Sequence, residues 1–402
     1  MMLFEQVTLP NGQVLKNRIA KAALSETLAE KDFQPNTKHI NLYRQWALGG
    51  TGLLISGNVM VDRNHISEPG NVVVDEETDR YILEQWADAG RLDNTQFILQ
   101  LNHPGKQTPK SMTKSPVAPS AVELGDDLKA FFNPARALET SEISQIVDKF
   151  VTASKIAYET GFSGVEIHAA HGYLINQFLS PADNKRTDQY GGSLENRMRI
   201  LVEIYQGIRA VTPADFIVGL KINSTDFSAK GFSEEDSKQV ILKMADLGID
   251  FVEISGGNYE KTVFMDSNSG GAFFLDFAKS VQSQVTIPII LTGGLTNPQA
   301  MEEVVAKEGI QMVGLARALV VNPNLPNDIK AGKAEPIHLA RLTTGFKGLD
   351  KKLGGAIGLS HYELQIKRLA AGKDVKVTKN AWPAILEMVA KHGTSALKPR
   401  RR

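Results

Sequence analysis

The feature that most constrains this 402-residue chain is an alternation of short apolar runs with longer amphipathic segments, repeated as far as Arg317. The apolar runs fall at 18–24, 52–57, 97–101, 164–168, 216–221, 251–254, 288–292 and 311–315. Their apolar and β-branched content does not alternate strictly with polar residues, as it would in half-exposed antiparallel strands, so they read as strands covered on both faces. Segments with helical spacing separate them at 36–48, 80–94, 141–160, 194–211, 234–247, 273–284 and 298–307. Ser141 is the expected N-cap of the third of these, with Gly161 stopping it, and Gly248 ends the helix before 251–254. Eight strands joined mainly by helices, with no early GxGxxG, predict an α/β chain folded as a single (β/α)8 TIM barrel rather than a doubly wound sheet.

Two regions depart from a minimal barrel. The stretch 103–134 holds five prolines and reads as a long excursion after the third strand, a place where a lid or subsite can arise. Beyond Arg317 the alternation stops. Residues 1–342 are expected to form the barrel and 343–402 a helical C-terminal extension, with helix candidates at 363–371 and 382–390, packed on the barrel or at a subunit interface. The basic end Lys398-Pro399-Arg400-Arg401-Arg402 reads as an exposed solubilising tail, because no basic domain accompanies it.

Composition narrows the chemistry. Lys plus Arg and Asp plus Glu both number 45, which removes the net positive field that would draw the chain to nucleic acid or an anionic membrane. No basic start followed by an apolar core, and no long uninterrupted apolar segment, is visible, so a soluble cytoplasmic protein is expected. The absence of Cys excludes disulfides, thiolate zinc sites, Cys-ligated iron-sulfur clusters and a cysteine nucleophile. Redox chemistry in such a chain needs a cofactor held by other residues.

The densest chemical segment is Val165-Glu166-Ile167-His168-Ala169-Ala170-His171-Gly172-Tyr173-Leu174. Its two imidazoles and one phenol lie just past a strand, where a barrel places its active site. His168 and His171 can hydrogen-bond a substrate oxygen and Tyr173 can donate a proton. Packed polar residues are the competing reading, and a metal site would need His103 or a carboxylate as third ligand without any recognisable liganding motif. Gln100 stands out because it interrupts an apolar strand. Gly293-Gly294 and Gly314-Leu315-Ala316-Arg317 follow strands seven and eight, where barrels often bind phosphate, and Lys221 offers a cation near the end of strand five or an ordinary salt bridge. The run from Asn176 to Arg197 reads chiefly as a loop locked by its own hydrogen bonds.

With these residues in place the chain resembles the old yellow enzyme family of FMN-dependent ene-reductases, the NADH:flavin oxidoreductases. The resemblance is carried by Asn17-Arg18-Ile19, Gln100, the stretch His168 to Leu174, the NQFLSP and NKRTDQYGGSLENR runs that follow, and both glycine-containing strand ends. It implies one FMN per barrel, hydride transfer from NADH or NADPH to flavin, then ping-pong reduction of an electron-poor C=C bond. His168 and His171 would hold the substrate carbonyl or nitro oxygen, and Tyr173 would protonate the α-carbon. Gln100 would meet the flavin pyrimidine edge and Lys221 its O2 side, with Ala22, Gly57 and Asn58 around the ring. Gly293, Gly294, Ala316 and Arg317 would take the phosphate.

The chain departs from the family pattern at three points: Ser25 where Thr or Cys is common near flavin O4, Ala23-Leu24 where Pro-Met is common, and Thr27 where some relatives place an aromatic residue. Zero Cys sets it apart from relatives with an iron-sulfur cluster. The expected partner is a small electron-poor alkene, with no metal, nucleic acid or membrane, and homo-oligomers remain compatible. A flavin-dependent dehydrogenase or demethylase, and a noncatalytic flavin scaffold, are the alternative functions.

Overall fold

The computed structural model describes residues 1–125, 128–129, 131–257, 272–339, 341–376 and 378–392. Eight strands form its centre: β1 Ile19–Lys21, β2 Leu53–Met60, β3 Gln96–Asn102, β4 Gly164–Ala169, β5 Ile217–Asn223, β6 Phe251–Ser255, β7 Ile289–Thr292 and β8 Met312–Leu315. Each pairs in parallel with the next, and β8 pairs with β1, closing the barrel. Around it run α1 Thr37–Leu48, α2 Arg80–Gly90, α3 Thr140–Glu159, α4 Leu174–Leu179, α5 Leu194–Val211, α6 Glu234–Leu247, α7 Leu275–Gln282 and α8 Pro298–Ala306. The expected (β/α)8 barrel is therefore the observed fold.

Helix starts follow local chemistry. The side chains of Ser193, Ser233 and Asn297 accept backbone N–H groups of Asn196, Asp236 and Gln299, and Asn297 precedes a proline at the first helical position. Helix α3 corrects the expected Ser141 cap: it starts at Thr140, because the Glu142 carboxylate, anchored by Arg136, accepts the Glu139 N–H at 2.8 Å. That side chain offers a stronger acceptor one turn boundary earlier than the serine hydroxyl. Gly248 ends α6 with φ 94°, as its position predicts.

The barrel interior has an apolar floor and a polar upper layer. Leu53, Ile55, Ile98, Ile217, Phe251, Ile290 and Met312 fill the floor, and an N-terminal hairpin seals it from below with Val7, Leu9 and Leu15. Phe251 reaches across because its neighbour on β5 is Gly219, where a Cβ would lie 2.0 Å from the phenyl ring. Burying such a ring contributes roughly 1.5–3 kcal/mol. Higher up, a bulge in β2 between Ile55 and Asn58 shifts its register against β3, so Asn58 pairs beside Gln100 and Met60 beside Asn102. The Ser56 hydroxyl accepts the Gln100 N–H at 2.8 Å and donates to the Gly57 carbonyl, replacing the ladder bond that the bulge interrupts.

After β8 come α9 Arg317–Val321 and α10 Leu325–Lys330, then α11 Lys347–Ala370 and α12 Trp382–His392. Helix α11 is 24 residues long and starts well before the expected 363, running through Gly354-Gly355. Its three interior glycines, Gly354, Gly355 and Gly358, cost about 1 kcal/mol each, but Leu353 and Ile357 are buried against Ala381, Ala384, Ile385 and Met388 at the joint with α12. The other end of α11 joins the main core through Ile366, Leu369 and Ala370, and Gln45 of α1 donates to the Leu369 carbonyl. The basic tail expected at 398–402 lies outside the described residues.

Candidate active site

The site is assembled at the carboxyl ends of the strands, where side chains of the inner face leave the floor and become polar. Gln100, Glu166, Lys221, Glu253 and Thr292 form one layer there. Gln100 Nε2 donates to Glu166 Oε2 at 2.6 Å. Lys221 Nζ and Thr292 Oγ1 both donate to Glu253 Oε1, at 2.7 and 2.8 Å. Sequence reasoning placed Gln100 and Lys221 in the site and missed the two carboxyls. The signal was available: Val165-Glu166-Ile167 and Val252-Glu253-Ile254 each set an acid between apolar neighbours in a buried strand, the same pattern that singled out Gln100.

Above this layer, β4 ends and the chain turns sharply. His171 has φ 61° and Gly172 φ 74°. A non-glycine residue in the left-handed region needs support, and the Asn223 amide oxygen accepts the His171 N–H at 3.1 Å while Asn176 accepts that of Gly172 at 2.7 Å. The turn brings the rings together: His168 lies 5.0 Å from His171 and 5.0 Å from Tyr173, both nearly edge-on. His168 Nδ1 accepts the Ala170 N–H, so its neutral ring carries the proton on Nε2. His171 Nε2 is 2.7 Å from the Ser255 hydroxyl at the end of β6. Burial, reinforced by the Lys221 charge, holds both imidazoles well below their ordinary pKa, so both are neutral at pH 7.

The loop after Tyr173 is a scaffold, as its composition predicts. Asn184 donates to the Phe178 and Tyr190 carbonyls, Arg186 to those of Pro119 and Leu138, and Gln177 to that of Gly172 at 2.7 Å. His103 joins Asp62 and His65 rather than the His168 pair. Its Nδ1 accepts the Gly105 N–H, its Nε2 points to the Asp62 carboxylate at 3.8 Å, and Lys149 already donates to that carboxylate at 2.6 Å. Burial pushes His103 down to about 4, so the ring is neutral.

The remaining residues of the sequence reading lie around the same mouth. Ala22 is buried and bonds the Leu315 carbonyl across β1 and β8. The Ser25 hydroxyl donates to the Glu68 carboxylate. The Gly57 N–H faces Glu26 and the Tyr43 hydroxyl. Gly293 and Gly294 after β7 have φ 118° and 74°, and a Cβ on Gly293 would lie in van der Waals contact with Phe274 at 3.7 Å. Ala316 and Arg317 open α9, and the Arg317 guanidinium stands 6.0 Å from the Tyr362 ring of α11.

These residues fit an FMN. Asn58 Oδ1 and both amide atoms of Asn102 are buried without a hydrogen-bond partner in the protein. Buried polar atoms are rarely left unpaired, and these belong to residues of the barrel's upper end. A ligand edge with donors and acceptors is what such a set accommodates, while the positive-φ glycine turn and Arg317 suit a phosphate.

Comparison with known proteins agrees. The model of the NADH:flavin oxidoreductase / NADH oxidase family matches residues 2–335, and the chain belongs to that family. An NADH-dependent flavin oxidoreductase of Neonectria is 41% identical over 80% of this chain, which spans only 46% of that protein. One of Hypocrea jecorina is 38% identical, covering 80% of this chain and 87% of the relative. A solved 2-naphthoyl-CoA reductase complex superposes with a TM-score of 0.78 at 27% identity, over 83% of this chain and 52% of that one. This homology to flavin-dependent NAD(P)H oxidoreductases supports an enzymatic role of that kind. Among the described residues no helix is long and apolar enough to cross a membrane.

Proposed function

We propose that the chain is an FMN-dependent ene-reductase, reducing the activated C=C bond of α,β-unsaturated carbonyl or nitro compounds with NADH or NADPH by a ping-pong mechanism. The observation that carries this reading is the convergence of two neutral imidazoles and Tyr173 above a layer of unsatisfied buried polar atoms. Bound FMN supplies the two-electron relay between NAD(P)H and the alkene. Gln100, Lys221, Ala22, Ser25, Gly57 and Asn58 surround its ring, and Gly293, Gly294, Ala316 and Arg317 hold its phosphate. Residues 1–342 are assigned to this FMN-binding barrel and 343–402 to a C-terminal extension, whose helix α11 packs on the main core through Ile366, Leu369 and Ala370.

His168 donates its Nε2 proton to the substrate carbonyl or nitro oxygen, and His171, oriented by Ser255, forms the second side of the clamp. Neutral rings suit this task, because they withdraw electron density from the alkene without protonating the oxygen. Tyr173 is placed to deliver the proton that the α-carbon needs for addition across the double bond. Asn223 and Asn176 hold the turn that aims all three groups.

Anaerobic stopped-flow absorbance tests the reading. NADH or NADPH should bleach the bound flavin, and cyclohexenone, a maleimide or a nitroalkene should restore its colour. Bleaching by an amine or alcohol substrate, with no reoxidation by enones, would instead establish a dehydrogenase. A yellow protein inert in both half-reactions would establish a binding scaffold.

A further inference from the structure

The polar layer inside the barrel poses a charge problem that the site as described does not solve. Glu166 and Glu253 are both 0% exposed, yet among the described residues only one cation, Lys221, bonds to either of them, and it bonds to Glu253. Each acid keeps one oxygen with no donor, Oε1 on Glu166 and Oε2 on Glu253. The two carboxyls are close enough to hydrogen-bond each other, and burial together with the Glu253 charge pushes Glu166 well above the ordinary carboxylate range. Two buried carboxylates in contact do not both ionise. A single proton settles every open valence: Glu166 Oε2 accepts from Gln100, Glu166 Oε1–H donates to Glu253 Oε2, and Glu253 Oε1 accepts from Lys221 and Thr292.

We infer that Glu166 is a protonated positioning residue, linking Gln100 to Glu253 in one hydrogen-bonded chain, and that this chain neutralises Lys221, so that FMN meets a layer of zero net charge. This rests on the proposed FMN site. Its consequence is electrostatic: Lys221 reaches the flavin as half of an ion pair, and Glu253 tunes how strongly that cation stabilises added electrons. Glu166 acts through Glu253 and needs no contact with substrate.

The assignment makes the two isosteric amide variants unequal, although both remove a carboxyl from the same layer. Glu253→Gln removes a negative charge and unmasks Lys221, so the midpoint potential of bound FMN, read by spectroelectrochemistry at pH 7, should move positive. Glu166→Gln replaces one neutral donor by another and should leave the potential at the wild-type value, with FMN retained. Equal positive shifts in both variants would mean that Glu166 is ionised, and an unchanged potential in Glu253→Gln would mean that Glu253 does not offset Lys221. Either result overturns the inference. Infrared difference spectra supply a readout independent of flavin occupancy: wild type minus Glu166→Gln should show a protonated carboxylic-acid C=O band at pH 7, since the raised Glu363 carboxyl contributes equally to both proteins and cancels. A wild-type protein that holds no FMN but shows this band would refute the cofactor reading alone, and absence of the band refutes the inference itself.

Discussion

Two Lys–Glu pairs among the described residues, Lys21–Glu26 and Lys221–Glu253, are buried on both sides, and they are built to opposite ends. Lys21 lies outside the barrel, between β1 and α1, with its ammonium bonded to Glu26 at 3.1 Å, the Tyr43 hydroxyl at 3.1 Å and the Ile55 carbonyl at 2.8 Å, and 4.5 Å from the Trp46 ring. Glu26 in turn receives Tyr43 and the Gly57 N–H. No side-chain atom of Lys21, Glu26 or Tyr43 is among the buried atoms lacking a partner. Inside the barrel, the Lys221–Glu253 pair, 2.7 Å long, shares the strand ends with Asn58 Oδ1 and both amide atoms of Asn102, which have no partner in the protein. A buried ion pair ringed by satisfied groups serves the fold, whereas one set among unpaired amides at a strand end is organised around something that binds there.

The contrast breaks first at Lys21. Lys21→Met should lower the stability of the holoprotein by about 3–5 kcal/mol in urea denaturation, the usual scale for stranding one partner of a buried pair. Lys221→Met should cost less stability and act instead on the cofactor: loss of one charge-assisted contact of about 1.5–3 kcal/mol weakens FMN retention roughly 10- to 100-fold in equilibrium dialysis. If both variants lost stability alike with FMN affinity intact, the two pairs would be equivalent and the distinction between them void.

The smallest expected effect concerns pH. Glu166 is raised in the folded protein by burial and by Glu253, with Lys221 and the Gln100 amide acting against the shift. Its folded pKa lies above its unfolded one, so the stability it confers is complete below the unfolded value near 4.3 and declines as pH rises toward the folded value. Glu166→Gln does not titrate. Relative to wild type it should therefore gain stability from pH 4.5 upward, the difference widening toward neutrality; thermal denaturation across that range measures it. His168 and His171 above the layer are both held well below the ordinary imidazole range by burial. A variant less stable at pH 7 than at pH 5, compared with wild type, would contradict a protonated Glu166.

The barrel was legible because its strands and helices carry their own signals. Eight apolar runs fixed the element order, and Gly248 and the helix α5 boundaries 194–211 fell where the punctuation put them. The ends that moved did so through side chains reaching from elsewhere: Arg136 fixes Glu142 and with it the start of α3, and α12 packing carries α11 through its glycines. The His168 to Tyr173 cluster was legible because all three rings lie in one short segment. The carboxyl layer was not, because Gln100, Glu166, Lys221 and Glu253 come from four strands and meet only once barrel register sets Gln100 beside Glu166 and Lys221 beside Glu253. Ser25 shows the reverse limit: its place beside a flavin edge was read by likeness, while its hydroxyl donates to Glu68, a residue far along the chain.

The central claim is that Tyr173 protonates the carbon next to an oxygen held by His168 and His171. The direct test is the anaerobic reoxidation rate of the NAD(P)H-reduced holoprotein by cyclohexenone and by a nitroalkene, in wild type and Tyr173→Phe at matched FMN occupancy. Nitroalkenes give stabilised nitronates that can acquire a proton from solvent, so they depend less on an enzymic acid. The variant should lose about 10²–10⁴-fold with cyclohexenone, within the range of general-acid effects, and far less with the nitroalkene, while its reduction by NAD(P)H stays close to wild type. Equal losses with both substrates would assign Tyr173 to positioning, and no loss with either would remove it from the chemistry.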